Sequence, residues 1–199
     1  MKVVFGLKAH SGWAALVALG KNGEELSVVD RRRIELVEEA WAKQPYHAAE
    51  DLNLKEARQV VKRGIAEARR IARRELRVAI RRQRDLGNEV VGCAVLVGTP
   101  MPDWTVEQIL AVHFRMHQAE GVLFRDALTE SATACELRLV TLPEKTLLED
   151  AAKTLNTPAA DLLKKIATLG KAAGPPWGKD QIDAALAALV ALSAAKKIN

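Results

Sequence analysis

The stretch Lys2-Val-Val-Phe-Gly-Leu-Lys8 decides the fold, together with the apolar run Trp13-Ala-Ala-Leu-Val-Ala-Leu19 that follows it. Each run is long enough for a β-strand, and only a short connection separates them. Gly12, in the connection His10-Ser-Gly12, supplies the backbone freedom that a sharp bend needs. The two runs are therefore predicted to pair as neighbouring antiparallel strands.

A third strand follows. The second run leads into Gly20-Lys-Asn-Gly23, and Asn-Gly between apolar stretches is a strong hairpin signal. Residues 26–29 and 34–37 are strand-like, and the charged stretch Asp30-Arg-Arg-Arg33 interrupts them. We interpret that stretch as an exposed edge feature, because arginines on an edge strand deter aggregation. The chain is thus predicted to open with a three-stranded antiparallel meander.

The rest of the chain alternates helices with apolar strands. Apolar residues recur at steps of three and four through residues 49–86, which predicts one long helix. Residues 90–97 are almost continuously apolar, as in a strand covered on both faces. The remaining predicted elements are a strand at 137–140 and helices at 105–132, 144–155, 158–170 and 179–196. Residues 38–54 show no clear pattern.

This order predicts a single α/β domain over residues 1–199. Three hairpin strands come first and helix-separated strands follow, so we expect a mixed five-stranded sheet with helices on both faces. The composition agrees with a folded globular protein, since 49% of the residues are hydrophobic and 28% are charged. The chain contains no apolar run long enough for a transmembrane helix and no secretory signal, so we expect no membrane partner.

The two cysteines, Cys93 and Cys135, lie in strand-like apolar stretches. We interpret them as small buried hydrophobic residues in a reducing compartment, which predicts a soluble cytoplasmic protein without a structural disulfide. The chain has no Cys-x-x-Cys pair, so a zinc site built on thiolates is not expected.

The positive charge is concentrated in one helix. Residues 55–84 carry twelve Lys and Arg against three Glu, whereas the remainder of the chain is slightly acidic. Arg69, Arg73, Arg77 and Arg81 follow each other at steps of four, and such a stripe suits contact with phosphates of a nucleic acid. The alternatives are a solvated face, or ion pairs with acidic groups of this chain or of a protein partner.

Three stretches are similar to a known family: Met116-His-Gln-Ala-Glu-Gly121, Leu139-Val-Thr-Leu-Pro143-Glu-Lys and Asp180-Gln-Ile-Asp183. They resemble the Gln-Ala-Arg-Gly helix, the fifth strand and the final helix of the Holliday-junction resolvase (RuvC-like) branch of the ribonuclease H-like superfamily. The element order is also that of the ribonuclease H-like fold, so the resemblance covers most of the chain.

The resemblance implies an acidic site that is degenerate here. In such nucleases clustered carboxylates hold two divalent ions, Mg²⁺ or Mn²⁺, which activate water for phosphodiester cleavage. The family's essential first-strand Asp corresponds to Lys8, and its fourth-strand acid has no counterpart in residues 90–97. Only Asp180 and Asp183 match the final acidic pair. Lys8 then either neutralises Asp180 or Asp183 in a salt bridge, or it faces solvent in a different strand register.

A second candidate metal site lies on the helix at 105–132. His113, His117 and Glu120 share one helix face, and two imidazoles one turn apart suit zinc or another transition metal. We expect His10, after the first strand, to approach them. The alternative is a pair of structural histidines at a helix–sheet boundary.

Three functional hypotheses remain open. The first is a non-catalytic ribonuclease H-like domain that binds nucleic acid or a protein partner, chiefly through the basic helix. The second is a divergent nuclease that uses Asp180, Asp183 and Glu120, with His113, His117, Asp180 and Asp183 as candidate ligands of Mg²⁺ or Mn²⁺. The third is a structural homo-oligomer in which the long helix forms the interface.

Overall fold

The N-terminal meander supplies three strands of a five-stranded sheet. In the computed structural model, which describes residues 1–23 and 25–196, β1 (Lys2–His10) pairs antiparallel with β2 (Trp13–Asn22). β2 pairs in the same way with β3 (Glu25–Glu35). The predicted meander is therefore present, and β3 forms one edge of the sheet. Residues 24 and 197–199 of the predicted domain lie outside the described part.

Two parallel strands complete the sheet. β4 (Glu89–Val97) joins β1 in parallel, and β5 (Leu139–Pro143) joins β4 in parallel. The resulting order is β3-β2-β1-β4-β5, which makes the sheet mixed. Because β1, β4 and β5 run in the same direction, their carboxyl ends lie along the same edge, across the strand ends. Side chains from distant parts of the sequence come together at this carboxyl edge of the sheet.

Within the described residues, six α-helices cover the sheet. They are α1 (Leu54–Asp85), α2 (Val106–Leu110), α3 (His113–Ala134), α4 (Leu147–Leu155), α5 (Ala159–Ala173) and α6 (Lys179–Lys196). Side chains alternate along a strand, so β1 contributes side chains to both faces of the sheet. Phe5 and Leu7 belong to the core under α1 and α3, whereas Val4 belongs to a second core formed with α4, α5 and α6. The predicted α/β architecture, with helices on both faces, is confirmed.

Several predicted element boundaries are wrong. The long helix begins at Leu54 instead of residue 49, because the side chain of Asn53 accepts a hydrogen bond from the backbone N–H of Glu56 and caps the helix there. Two short 3₁₀ helices, Ala40–Lys43 and His47–Ala49, occupy the connection before it. The single helix predicted at 105–132 is two helices, because the backbone is extended at Val112.

The charged stretch at residues 30–33 does not interrupt the third strand, although it does lie on the edge strand as predicted. Arg31 donates to the carbonyl oxygens of Gly174, Pro175 and Pro176, and so ties β3 to the segment between α5 and α6. Arg33 pairs with Glu35 and lies over the ring of Trp13. These arginines therefore hold neighbouring segments against the edge strand, and only Arg33 of the stretch is exposed.

None of the helices in the described part of the chain is long and apolar enough to cross a bilayer. Both cysteines are free thiols, and Cys93 is fully buried. Burial raises the pKa of the Cys93 thiol to about 12, so it stays protonated and packs as a hydrophobic side chain.

The contact between Gly6 and α6 gives a direct test of the packing. A methyl group added at Gly6 would overlap the carbonyl oxygen of Ala184 in α6, and neither backbone can move without disturbing a core. We expect Gly6→Ala to lower the free energy of unfolding by about 3 kcal/mol, as overpacking does in tight cores. Urea denaturation followed by circular dichroism measures this change.

Gly121→Ala in α3 is the matched control. Only the far end of Arg125 lies near that position, at ordinary contact distance. Because alanine is the better helix former, this variant should gain up to about 1 kcal/mol. Equal stability of the two variants would show that β1 and α6 do not pack in this way.

Candidate functional site

Lys8 lies near the end of β1, close to the edge where the parallel strands finish. It follows Val4 and Gly6 in the strand alternation, so its side chain points to the face that α6 covers. The residue is only 4% exposed. A buried lysine is rare unless its charge is paired.

Three carboxylates surround the ammonium group of Lys8. Its Nζ donates a hydrogen bond to Asp183 Oδ2 at 2.7 Å, and lies 3.2 Å from Asp180 Oδ1 and 3.2 Å from Glu144 Oε1. Asp180 lies in the first turn of α6, where the helix dipole favours negative charge, and Asp183 follows three residues later on the same helix. Glu144 directly follows β5. The ends of β1 and β5 and the start of α6 therefore meet at one cation.

Each carboxylate has a second neighbour that carries or can carry positive charge. Lys179 donates to Asp183 at 2.8 Å, and Arg125 donates to Glu144 at 3.1 Å. The Nε2 atom of His10 lies 3.1 Å from Asp180 Oδ1. Three carboxylates thus face three full positive charges and one imidazole, so the group is close to neutral without any added ion.

The pKa directions agree with this pairing. Burial alone would lower the pKa of Lys8, but its hydrogen bonds to the three carboxylates outweigh burial, and the pKa is raised. Burial alone would raise the pKa of Asp180, but the neighbouring Lys8 ammonium and His10 outweigh burial, so the pKa lies below its ordinary value of 3.8. Lys8 therefore stays cationic and Asp180 stays anionic at neutral pH.

The residues at this place do not fit the divalent ions that the resemblance implies. Mg²⁺ requires close to six oxygen ligands at roughly 2.0–2.1 Å. Lys8 Nζ already donates toward the carboxylate oxygens that would supply them. The strand beside Lys8 offers no replacement, because Val95 pairs with Leu7 and the next residue, Leu96, is apolar. An ammonium stands where the ion would have to bind.

The structure divides the predicted site residues into two groups. Asp180 and Asp183 meet Lys8 on the α6 face, whereas Glu120 belongs to α3 on the opposite face of the sheet and hydrogen-bonds His47. His113 and His117 lie together near that glutamate. The predicted ligand set of His113, His117, Asp180 and Asp183 is therefore not brought together, and neither is the catalytic set that joins Glu120 to the aspartates.

One predicted approach is wrong. His10 was expected near His113 and His117, but it stacks on Trp13 with ring centroids 4.2 Å apart and lies beside Asp180. The alternation of β1 already gives the observed direction, because His10 lies two residues after Lys8 and so points to the same face, which α6 covers.

Two residues of these clusters were missed from the sequence. Glu144 follows the short strand β5, and a carboxylate after a parallel strand is a signal for a position at the shared edge. His47 lies in the connection before α1, where neither periodicity nor turn residues give a pattern. Only the tertiary structure places it next to α3.

The arginines of α1 form a separate candidate surface. Several pair with acidic groups of this chain: Arg58 with Glu107, Arg69 with Glu130, Arg70 and Arg74 with Glu38, and Arg82 with Asp30. These contacts correspond to one of the alternatives left open by the sequence. Because Arg69 has a carboxylate partner, it no longer belongs to the predicted stripe of unpaired arginines.

Arg73, Arg77 and Arg81 are different. All three are exposed, and within the described ranges no carboxylate pairs with them. They follow each other at steps of four, so their Cα atoms are about 6 Å apart along one face of α1. A shallow surface groove follows the same side chains. We call Arg73, Arg77 and Arg81 the free arginine stripe.

The buried lysine predicts a large and pH-dependent effect on stability. Replacing Lys8 by Met keeps a similar length but leaves the carboxylates of Asp183, Asp180 and Glu144 without their central cation. We expect Lys8→Met to lower the free energy of unfolding by about 3–5 kcal/mol at neutral pH. Lys179→Met is the matched control, because Lys179 also contacts Asp183 but is 79% exposed; it should cost less than about 1 kcal/mol.

The sign of the pH dependence follows from Asp180 and Lys8. A carboxyl whose folded pKa is lowered stabilises the fold above its ordinary pKa of 3.8, and an ammonium whose folded pKa is raised stabilises it below 10.5. The difference in the free energy of unfolding between wild type and Lys8→Met should be largest between these limits and should decrease below about pH 4. Chemical denaturation across pH measures it, and a difference that grows on acidification would contradict the pairing.

Comparisons with known proteins give no family assignment. No protein-family model matches the chain, and no curated protein sequence matches it. The search of solved structures does find matches.

Two of these matches are structures of RuvC from Thermus thermophilus. The RuvC structure is 13% identical to this chain with a TM-score of 0.53, and the match covers 98% of this chain and 95% of RuvC. The structure of the same protein in complex with a Holliday junction substrate gives 12% identity, a TM-score of 0.53 and the same coverage. At this level of identity the likeness concerns the fold. The chain therefore has the ribonuclease H-like fold in its RuvC-like form, as the sequence predicted.

Proposed function

We propose that this protein is a nucleic-acid-binding ribonuclease H-like domain that does not cleave phosphodiesters at the Lys8 position. The observation that carries the proposal is the ammonium of Lys8, buried among Asp183, Asp180 and Glu144. The chemistry of related folds needs divalent ions held by free carboxylates. Here the carboxylates already share a covalently attached cation.

Lys8 offers no substitute for metal chemistry. Its pKa is raised, so the amine stays protonated and cannot accept a proton from water as a general base. Its Nζ contacts three carboxylates and is almost inaccessible to solvent, so it cannot reach a phosphate without breaking those ion pairs. The arrangement supports a structural role, in which Lys8 joins β1 to α6.

The free arginine stripe supports binding to nucleic acid. Its guanidinium groups are solvated and have no ionic competitor in the described part of the chain, so contact with a phosphate breaks no existing salt bridge. Guanidinium groups form bidentate contacts with phosphate oxygens. The RuvC structure with a Holliday junction substrate makes branched DNA a sensible first probe, with linear duplex for comparison.

A binding experiment tests the stripe. Fluorescence anisotropy with labelled four-way and duplex DNA over a range of salt gives both the affinity and its salt dependence. The variant with Arg73, Arg77 and Arg81 replaced by Ala should bind at least about tenfold more weakly. The magnitude of the slope of log K against log salt should decrease by roughly 2–3, because each phosphate contact contributes about 0.9 to it.

The matched control replaces Lys164, Lys165 and Lys171 of α5 by Ala. It removes the same total charge from exposed positions on the other side of the sheet. It should keep most of the affinity and the salt slope. If both triple variants weaken binding equally, the effect is one of net charge and the stripe is not the binding surface.

A cleavage experiment tests the other half of the proposal. Wild-type protein incubated with the same DNAs and excess Mg²⁺ or Mn²⁺ should leave them intact, as measured by denaturing electrophoresis. Cleavage that requires the metal and disappears in Asp183→Asn would establish the alternative, a divergent nuclease. That result would contradict the role given to Lys8 but would not contradict the free arginine stripe as the binding surface.

A further inference from the structure

Three of the four histidines meet at one place, on the face of the sheet opposite to Lys8. The ring centroids of His47, His113 and His117 lie 5.1, 4.6 and 4.7 Å apart. One nitrogen from each ring lies within 4.8 Å of the others, and the Nε2 atoms of His113 and His117 are 3.1 Å apart. Three imidazole nitrogens thus converge from two separate segments.

The local structure explains why they converge. The extended backbone at Val112 ends one helix and starts α3, which places His113 at the first position of α3 and His117 one turn later on the same face. His47 comes from the 3₁₀ helix His47–Ala49, about seventy residues earlier in the chain. The packing of that short helix near α3 completes the group.

A buried carboxylate orients the third ring. Glu120 is 2% exposed, and both of its side-chain oxygens lie 2.9 Å from Nδ1 of His47. Its Oε1 also accepts the backbone N–H of His47 at 3.2 Å. A carboxylate is an acceptor, so Nδ1 of His47 is the donor in this contact, which in the neutral imidazole leaves the lone pair on Nε2. This carboxylate–histidine arrangement is the one that orients histidine ligands around metals.

Burying a carboxylate is costly unless it is paired with a cation or fully hydrogen-bonded. Glu120 is buried beside His47, and an imidazole that binds a metal ion gives it such a partner.

We propose that His47, His113 and His117 bind a divalent transition-metal ion of the zinc class, with Glu120 as the positioning residue for His47. Imidazole nitrogens suit Zn²⁺ and related ions and are poor ligands for Mg²⁺ or Ca²⁺. In a tetrahedral site with bonds of about 2.0–2.1 Å, ligand nitrogens are roughly 3.3 Å apart. His113 and His117 are close to that spacing, and the nitrogen of His47 lies within 4.8 Å of both.

Three protein ligands leave a fourth position on the ion. His113 and His117 are exposed, so that position faces solvent and takes a water molecule. This inference is independent of the proposed function, because the histidines and Lys8 lie on opposite faces of the sheet.

The cysteines are the main competing source of zinc binding. Cys135 is half-buried and packs against the core that contains Cys93. Thiolates bind zinc strongly, and any test of the histidines has to exclude them. Cys135→Ser removes the more accessible thiol without changing the histidine group.

Isothermal titration of the full, chelator-stripped chain with Zn²⁺ alone tests the site. Wild type should bind one ion per chain. His113→Ala and His117→Ala, both at exposed positions, should weaken binding at least about a hundredfold, and Glu120→Gln should weaken it roughly 10- to 100-fold. Cys135→Ser should bind as wild type does. Circular dichroism of each variant confirms that it is folded.

Co²⁺ gives a spectroscopic readout of the same site. Titration with Co²⁺ should produce visible absorption bands typical of nitrogen ligands in wild type and in Cys135→Ser, and these bands should be absent in His117→Ala. Saturable binding that survives His113→Ala and His117→Ala, or that is lost in Cys135→Ser, would overturn the assignment. So would the absence of saturable Zn²⁺ binding by the wild type.

Discussion

A single buried cation holds together the parts of this molecule that the chain order keeps apart. Lys8 Nζ is shared by Asp183 and Asp180 from the start of α6 and by Glu144 from the end of β5. α6 is the last described helix, yet it packs directly on β1, where Gly6 leaves room for the backbone of Ala184. The small residue and the charged one act together: Gly6 permits the close approach, and Lys8 fixes the end of the helix.

This interaction is the basis for proposing a ribonuclease H-like fold without metal-dependent cleavage. The sheet brings the carboxyl ends of β1, β4 and β5 together and directs the first turn of α6 toward them. Carboxylates that meet there repel one another unless a cation lies between them. In metal-dependent nucleases that cation is an exchangeable ion, whereas here the Lys8 ammonium lies among the carboxylates. Under the proposed function, this fixed cation occupies the place that an ion with its water and substrate would need.

Much of this was predictable from the sequence, and the reasons are specific. The alternation of β1 places Lys8 on the same face as Gly6, and the pair Asp180 and Asp183 at the start of an apolar helix shows where the acids lie. The antiparallel pairing of the first three strands follows from the hairpin signals, and the mixed sheet follows from the helices between the later strands. Periodic patterns of this kind report local structure directly, because burial repeats with the period of the element.

Other features depend on contacts between distant segments and leave no local pattern. His47 lies in an irregular connection, and nothing nearby in the sequence links it to Glu120. The break at Val112 divides a stretch whose apolar periodicity continues on both sides. The arginines of α1 look equivalent in the sequence, but tertiary structure gives Arg69 a carboxylate partner and leaves Arg73 exposed without one in the described part of the chain.

Diffraction from crystals soaked in Mn²⁺ tests the central claim most directly, because the anomalous signal of manganese locates the ion without assumptions about activity. If the Lys8 ammonium holds the place of a metal, the anomalous map will show no peak among Asp180, Asp183 and Glu144, and Lys8 will keep its contacts with them. A peak about 2 Å from those carboxylate oxygens, with the Lys8 side chain displaced, would contradict the account.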